Sequence, residues 1–244
     1  MNIEGLLKLA LIDPLDARIL LAHALKCTRV QLVIRSKDEL TPQQVTEVSE
    51  LLMRRMQGEP IAYLTGEREF YGLRFEVTPD VLIPRPETEL LVELAKERLP
   101  KGGSALDLGT GSGAISVALA YERRDAKVTA TDISDAALAV ARRNAAHHAV
   151  NVQFVHSDWY ANVDGQFDLI VSNPPYIAAS DPHLSQGDLR FEPRSALTDG
   201  ANGMMHIGTL IDGAPAHLTP GGWLLMEHGH DQSAATRALL ERAG

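Results

Sequence analysis

Asn173, Pro174, Pro175 and Tyr176 follow directly on the apolar run Phe167, Asp168, Leu169, Ile170, Val171, Ser172. An Asn side-chain oxygen and a Pro carbonyl can both accept hydrogen bonds from one NH2 group while an aromatic ring covers its plane. Such a row of residues can hold a planar nitrogen, as methylation of an amide or of an exocyclic amine requires. The same tetrapeptide also reads as a tight turn after a buried strand, because Pro restricts its own φ and biases the preceding residue toward extended conformations.

A second constellation lies upstream. Ala105 to Leu108 run into Gly109, Thr110, Gly111, Ser112 and Gly113, and then into the apolar stretch Ala114 to Ala120. The order is strand, glycine-rich turn, helix. Glycines at alternating positions avoid Cβ clashes and let the backbone approach a ligand at a helix N-terminus. Gly109, Gly111 and Ala114 also satisfy the dinucleotide form G-x-G-x-x-G/A, so the loop alone does not separate nicotinamide cofactors from S-adenosylmethionine. The next strand ends at Asp132, 19 residues past Gly113, close to the roughly 20 expected for an acid that grips ribose hydroxyls. Asp158 can accept from an adenine amino group and Trp159 can face its ring, although Trp is also a common core filler. Asp107 reads either as a cofactor-side acid or as a carboxylate tying down the loop by backbone hydrogen bonds.

The elements that must position these residues follow from periodicity. Leu15 to Leu25 has helical spacing, and Thr41, Pro42, Gln43, Gln44 reads as a capping box opening a helix through Met56. From Ile61 to Val77 the texture becomes aromatic and β-branched around Gly72, which predicts a β-hairpin. Pro86 reads as the first turn of a helix over Glu87 to Leu99. Beyond it, predicted strands near 104–109, 127–132, 152–156, 167–172 and 222–228 alternate with helices near 113–123, 134–147, 204–218 and 232–243. That alternation predicts an α/β fold with a Rossmann-like, doubly wound, mostly parallel sheet. The expected organisation is a helical region over 1–59, a hairpin linker over 60–84 and an α/β domain over 85–244. Ligands bind at the carboxyl ends of strands in such sheets, and Gly109 to Gly113, Asp132, Asp158, Trp159 and Asn173 all fall just after predicted strands.

The 244 residues carry a formal charge of −9, 45% apolar residues and one cysteine, Cys27. The apolar content supports one full α/β domain with a smaller attachment, and a single cysteine excludes an internal disulfide. With no apolar run of the roughly 20 residues that span a bilayer and no signal-peptide pattern, the expectation is a cytoplasmic protein with no membrane partner. The acidic balance and the absence of a basic cluster argue against a stable nucleic-acid partner. Histidines at 147, 148, 183, 228 and 230 lack Cys partners and the i, i+4 spacing of a metal site, so no metal is expected.

The chain resembles the peptide chain release factor glutamine methyltransferases. The marks are Glu59 to Gly66, Leu82 to Glu89, the glycine loop, Asn173 to Tyr176, and Arg190, Phe191, Glu192, Pro193. The resemblance covers nearly the whole chain. It implies S-adenosylmethionine as cofactor, the glutamine of a Gly-Gly-Gln motif as methyl acceptor, release factors as partners, and an N-terminal helical domain that docks the release factor; a monomer is expected apart from the resemblance. It places cofactor contacts on Gly109 to Gly113, Asp132, Trp159 and Asn173, and substrate contacts on Asn173 to Tyr176, with Asn173, Pro174 and Tyr176 as the catalytic group. In that chemistry the amide nitrogen attacks the sulfonium methyl in line while Asn173 and the Pro174 carbonyl hold its N–H groups and Tyr176 packs on its plane.

Two departures from the family stand out. The chain stops at Gly244, where family members continue with an antiparallel strand pair, which implies an unpaired sheet edge and doubtful stability. Residues 199–205 also differ from the usual glycine-leucine pairing, with no expected consequence. Glu192, in the polar segment 178–203, and Glu227, at the end of a predicted strand, are supporting candidates. Arg85 and Glu87 read either as a clasp on the hairpin or as members of surface ion pairs. The competing readings are a nucleic-acid amino methyltransferase, which needs a basic groove that residues 1–80 lack, and a noncatalytic cofactor-binding protein.

Overall fold

The computed structural model describes Met1–Gly244, and the chain separates into two compact units, Met1–Glu67 and Arg68–Gly244. The first unit contains five helices: α1 (Ile3–Leu9), α2 (Pro14–Ala24), α3 (Arg29–Ile34), α4 (Pro42–Met56) and α5 (Ile61–Thr65). Thr41 and Gln44 form the expected capping box, each side chain taking the other's backbone N–H, and Thr28 with Gln31 does the same for α3. Reciprocal caps of this kind satisfy donors that the first turn of a helix leaves open. Ile3, Leu20, Leu21 and Val48 form a fully buried centre for this unit, and Asp16 pairs with Arg55 at 2.7 Å.

The expected hairpin is shorter than the stretch that suggested it. Residues 61–65 form the helical turn α5, which starts after Pro60 and ends at Gly66 in the left-handed region (φ 74°). Only β1 (Glu67–Phe70) and β2 (Leu73–Glu76) are strands. Aromatic and β-branched residues suggested strand throughout, but the Pro and Gly at the ends of 61–65 decide its local geometry.

The larger unit is the predicted alternation. After a 3-10 turn at Pro86–Thr88 come α6 (Glu89–Arg98), β3 (Ser104–Leu108), α7 (Ala114–Glu122), β4 (Lys127–Asp132), α8 (Asp135–His147), β5 (Val152–His156), β6 (Phe167–Ser172), α9 (Met205–His217), β7 (Leu218–Met226) and α10 (Ser233–Ala243). The strands order as β5-β4-β3-β6-β7, and every pairing is parallel. Strand alternation divides β3 between two cores. Ala105 joins Leu119 and Leu99 on one face, and Leu106 and Leu108 join Ile170 and Leu210 on the other. The chain runs outward from β3 through β4 to β5, then returns to the other side of β3 with β6. That reversal opens a crevice at the carboxyl ends of β3 and β6. β7 forms one edge of the sheet, and its Trp223 is half-exposed with the Arg98 guanidinium 4.5 Å from the ring centre. None of the helices is long and apolar enough to cross a membrane.

Candidate active site

All five strands of the sheet deliver residues to one end of it: the glycine loop after β3, Asp132 at the end of β4, Ser157 to Trp159 after β5, Asn173 to Tyr176 after β6, and Glu227 after β7. A cavity of about 520 Å³ opens there, lined by Gly109 to Ser112, Asp132, Asp158, Trp159, Asn173 and Pro175 among others. A smaller cavity of about 150 Å³ is lined by Pro174, Tyr176, Ile177, Leu189 and Leu197. Asn173 and Arg85 belong to the walls of both.

The glycine loop turns through three left-handed residues, Gly109 (φ 73°), Gly111 (φ 56°) and Gly113 (φ 83°), which an L side chain rarely adopts. Asp107, in β3, and Gly113, the last residue of the loop, do not line the cavity. Asp107 Oδ2 accepts from the Thr110 hydroxyl at 2.6 Å and from the Ser116 backbone N–H at 3.1 Å, so this carboxylate ties the loop to the start of α7. Burial pushes its carboxyl up to about 6 against the pull of those donors, and its Oδ1 is buried without a partner. Asn144, from α8, pins the loop from another side: Nδ2 donates to the Ser112 carbonyl at 2.8 Å, and the same side chain pairs with the backbone of Glu76 in β2. The hairpin is further held by Glu89, which accepts from the Tyr71 N–H at 2.9 Å.

Asp132 accepts from the Gly111 N–H at 2.8 Å and from the Ser134 N–H at 2.9 Å, one on each oxygen. Burial raises its pKa while these N–H groups oppose the rise. Each oxygen retains a further lone pair for a hydroxyl donor. Trp159 occupies left-handed backbone (φ 48°), an uncommon state for a bulky side chain, held at a cost of order 1–3 kcal/mol by its surroundings. The Ser157 hydroxyl donates to the Trp159 carbonyl at 2.8 Å. The indole stands 5.1 Å, centre to centre, from the ring of His206, and a Cβ on Gly109 would meet it at 3.4 Å.

On the acceptor side, Asn173 Nδ2 donates to the Thr88 hydroxyl at 3.1 Å, Thr88 donates to Glu227 Oε2 at 2.8 Å, and the Tyr176 hydroxyl donates to Glu227 Oε1 at 2.8 Å. Burial and the Glu227 charge push the Tyr176 hydroxyl well above its ordinary pKa, so it stays protonated and donating. The Tyr176 carbonyl accepts from Gln232 Nε2 at 2.9 Å. Gly203 (φ 80°) passes so near that a Cβ there would lie 2.1 Å from the Tyr176 oxygen. Thr88, His206 and Gln232 escaped the reading of the sequence. Thr88 falls within Leu82 to Glu89, a mark of the family resemblance that carried no role for it, and nothing local to His206 or Gln232 points to the site.

Arg85 neither clasps the hairpin nor sits in a surface pair. Its guanidinium meets Glu192, whose other oxygen accepts from the Ile83 N–H at 3.0 Å. The 178–203 segment is thus bound to the residues that precede α6. Glu87 is exposed.

Comparison with known proteins agrees with this geometry. The family described as Methyltransferase small domain matches residues 86–188, and the one described as PrmC N-terminal domain matches residues 3–66. A methyltransferase structure from Pyrococcus furiosus superposes with a TM-score of 0.55 at 26% identity, covering 80% of this chain and 88% of that one. The T. thermophilus 16S rRNA N2 G1207 methyltransferase, solved with AdoMet and guanosine, superposes with a TM-score of 0.53 at 25% identity, over 72% of this chain and 44% of that one. The release factor glutamine methyltransferase of Burkholderia pseudomallei is 55% identical over 98% of this chain and 87% of its own length. That of Neisseria gonorrhoeae is 51% identical over 100% of this chain and 90% of its own. With more than half of its residues shared along nearly its full length, the chain belongs to the release factor glutamine methyltransferases.

Proposed function

We infer that this protein transfers a methyl group from S-adenosylmethionine to the side-chain amide nitrogen of the glutamine in the Gly-Gly-Gln motif of peptide chain release factors. The observation that carries the reading is that Asn173 stands in the wall common to both cavities. A methyl donor in the larger space and an amide in the smaller one would meet at that residue.

The larger cavity fits the cofactor. Its volume of about 520 Å³ suits a ligand of that size, and a Cβ on Gly111 would meet nothing within 4 Å, so the loop backbone is open to a close approach. Asp132 would hold ribose hydroxyls, Asp158 and Trp159 the adenine, and Gly109 to Ser112 the remainder. When bound, S-adenosylmethionine supplies an electrophilic methyl group on a sulfonium centre.

The residues of the chain must then overcome the poor nucleophilicity of an amide, whose lone pair is delocalised into its carbonyl. Asn173 Oδ1 and the Pro174 carbonyl hold the two N–H groups, and Tyr176 lies against the amide plane. Holding one reactive geometry can lower a barrier by up to about 7–11 kcal/mol. A strong general base is unnecessary, because the alkylated amide loses its proton readily.

The test is methyl transfer from labelled S-adenosylmethionine to a purified release factor, beside a Gln-to-Ala variant of its Gly-Gly-Gln motif and a DNA control. Label on the wild-type factor alone is expected. Label on DNA would instead support an amino methyltransferase acting on nucleic acid.

A further inference from the structure

We propose that Glu227 is a positioning residue: acting through Thr88, it determines which way the Asn173 amide points. This rests on the reading of Asn173 as the group that accepts the substrate N–H. The oxygen and nitrogen of an Asn side chain are nearly interchangeable in shape, so only the surrounding hydrogen bonds decide which faces the ligand. A carboxylate is acceptor-only. Glu227 therefore requires both hydroxyls that reach it, Thr88 Oγ1 and Tyr176 Oη, to donate. A hydroxyl has a single hydrogen. Once Thr88 has given it to Glu227, its oxygen can only accept from Asn173, and Asn173 must turn Nδ2 toward Thr88. Its Oδ1 is then left without a protein donor, ready for the N–H of an incoming amide. With the opposite orientation, the amide NH2 of Asn173 would confront the NH2 of the substrate, two donors with no acceptor between them.

The backbone supports this relay. The Glu227 N–H donates to the carbonyl of Ser172 at 3.0 Å, so the Glu227 backbone is tied to the residue immediately before Asn173. Thr88 is buried, which keeps water from substituting for either of its partners. The same carboxylate orients Tyr176, so one group coordinates the polar and the aromatic walls of the small cavity.

The test uses the full chain and the variants Glu227→Gln, Thr88→Val, Thr88→Ser and Asn173→Ala. Gln at 227 brings a donor into the relay, and Val at 88 removes the hydroxyl while leaving the Tyr176 arm intact. Both are expected to lower kcat for release-factor methylation about 10- to 100-fold, the range seen when a partner that orients a site ligand is lost. Thr88→Ser is expected to retain near wild-type kcat. Adding Thr88→Val to Asn173→Ala is expected to give no further loss, because the two act as one unit, and Thr88→Val leaves the Tyr176 arm intact. An independent readout is the 15N side-chain resonance pair of Asn173, identified by its loss in Asn173→Ala. It should move in Glu227→Gln and Thr88→Val and stay in place in Thr88→Ser. An unmoved resonance, an unchanged kcat, or full additivity with Asn173→Ala overturns the relay. Should the wild-type protein fail to label release factors, the proposed function falls while the Asn173 resonance still decides the relay.

Discussion

Arg85 and Glu192, 107 residues apart in sequence, form an ion pair in which the glutamate side chain is completely buried while the arginine side chain remains 29% exposed. The pair joins the wall that both cavities share to the 178–203 segment. Removing one partner of such a pair leaves an uncompensated buried charge, whereas replacing both removes the desolvation cost as well. Arg85→Met is expected to lower unfolding free energy by about 3 kcal/mol. The double variant Arg85→Met/Glu192→Leu should recover part of that loss. Urea denaturation of the two variants checks both statements, and equal loss in each would refute the buried-charge account.

Asp107 makes stability depend on pH. Burial raises its folded pKa to about 6, above the unfolded value, so the stability that it contributes is fully present below about pH 4 and is lost as pH rises through about 6. A rise of about two units corresponds to about 3 kcal/mol. Asp107→Asn cannot ionise. Its stability relative to wild type is expected to improve by about this amount between pH 4 and pH 7, read as the difference in urea midpoints across that range. A difference independent of pH would show that Asp107 does not titrate there.

Gly203→Ala is expected to impair both folding and methyl transfer, because its Cβ would fall 2.1 Å from the Tyr176 carbonyl oxygen. Gly221 provides the control: it has the same φ of 80°, but a Cβ there would meet nothing within 4 Å. Gly221→Ala should therefore show only the backbone strain of about 1 kcal/mol, with kcat unchanged. Parallel thermal melts and rate measurements separate the two effects, and equal kcat in both variants would contradict the close-approach argument.

Trp159 combines a ring contact with a strained backbone. Trp159→Ala should weaken S-adenosylmethionine binding by about 1–3 kcal/mol, the usual worth of a base stacked on an aromatic side chain. Trp159→Gly should lose as much affinity yet be more stable than Trp159→Ala, since Gly tolerates the positive φ. Calorimetric titration measures the affinity and thermal unfolding the stability. Undiminished affinity in both variants would remove Trp159 from the cofactor site.

Much of this protein is a local matter, and the sequence by itself determined it. The capping box at Thr41 and Gln44, the glycine loop after β3, the alternation of strands and helices and the Asn-Pro-Pro-Tyr turn depend on interactions within a few residues. Side-chain periodicity and turn chemistry therefore reveal them, and the parallel alternation then places the loop, Asp132, Trp159 and Asn173 at one end of the sheet. Local pattern misjudged residues 61–65, where Pro60 and Gly66 enclose a helical turn within a β-like composition. What only the tertiary structure decided is which distant groups become partners. The relay from Asn173 through Thr88 and Glu227 to Tyr176 spans separations of 85, 139 and 51 residues, and Arg85 reaches Glu192 across a comparable gap. Such hydrogen bonds and ion pairs depend on strand order and on burial, which withholds water from these groups and leaves each buried donor or acceptor to find its partner within the fold.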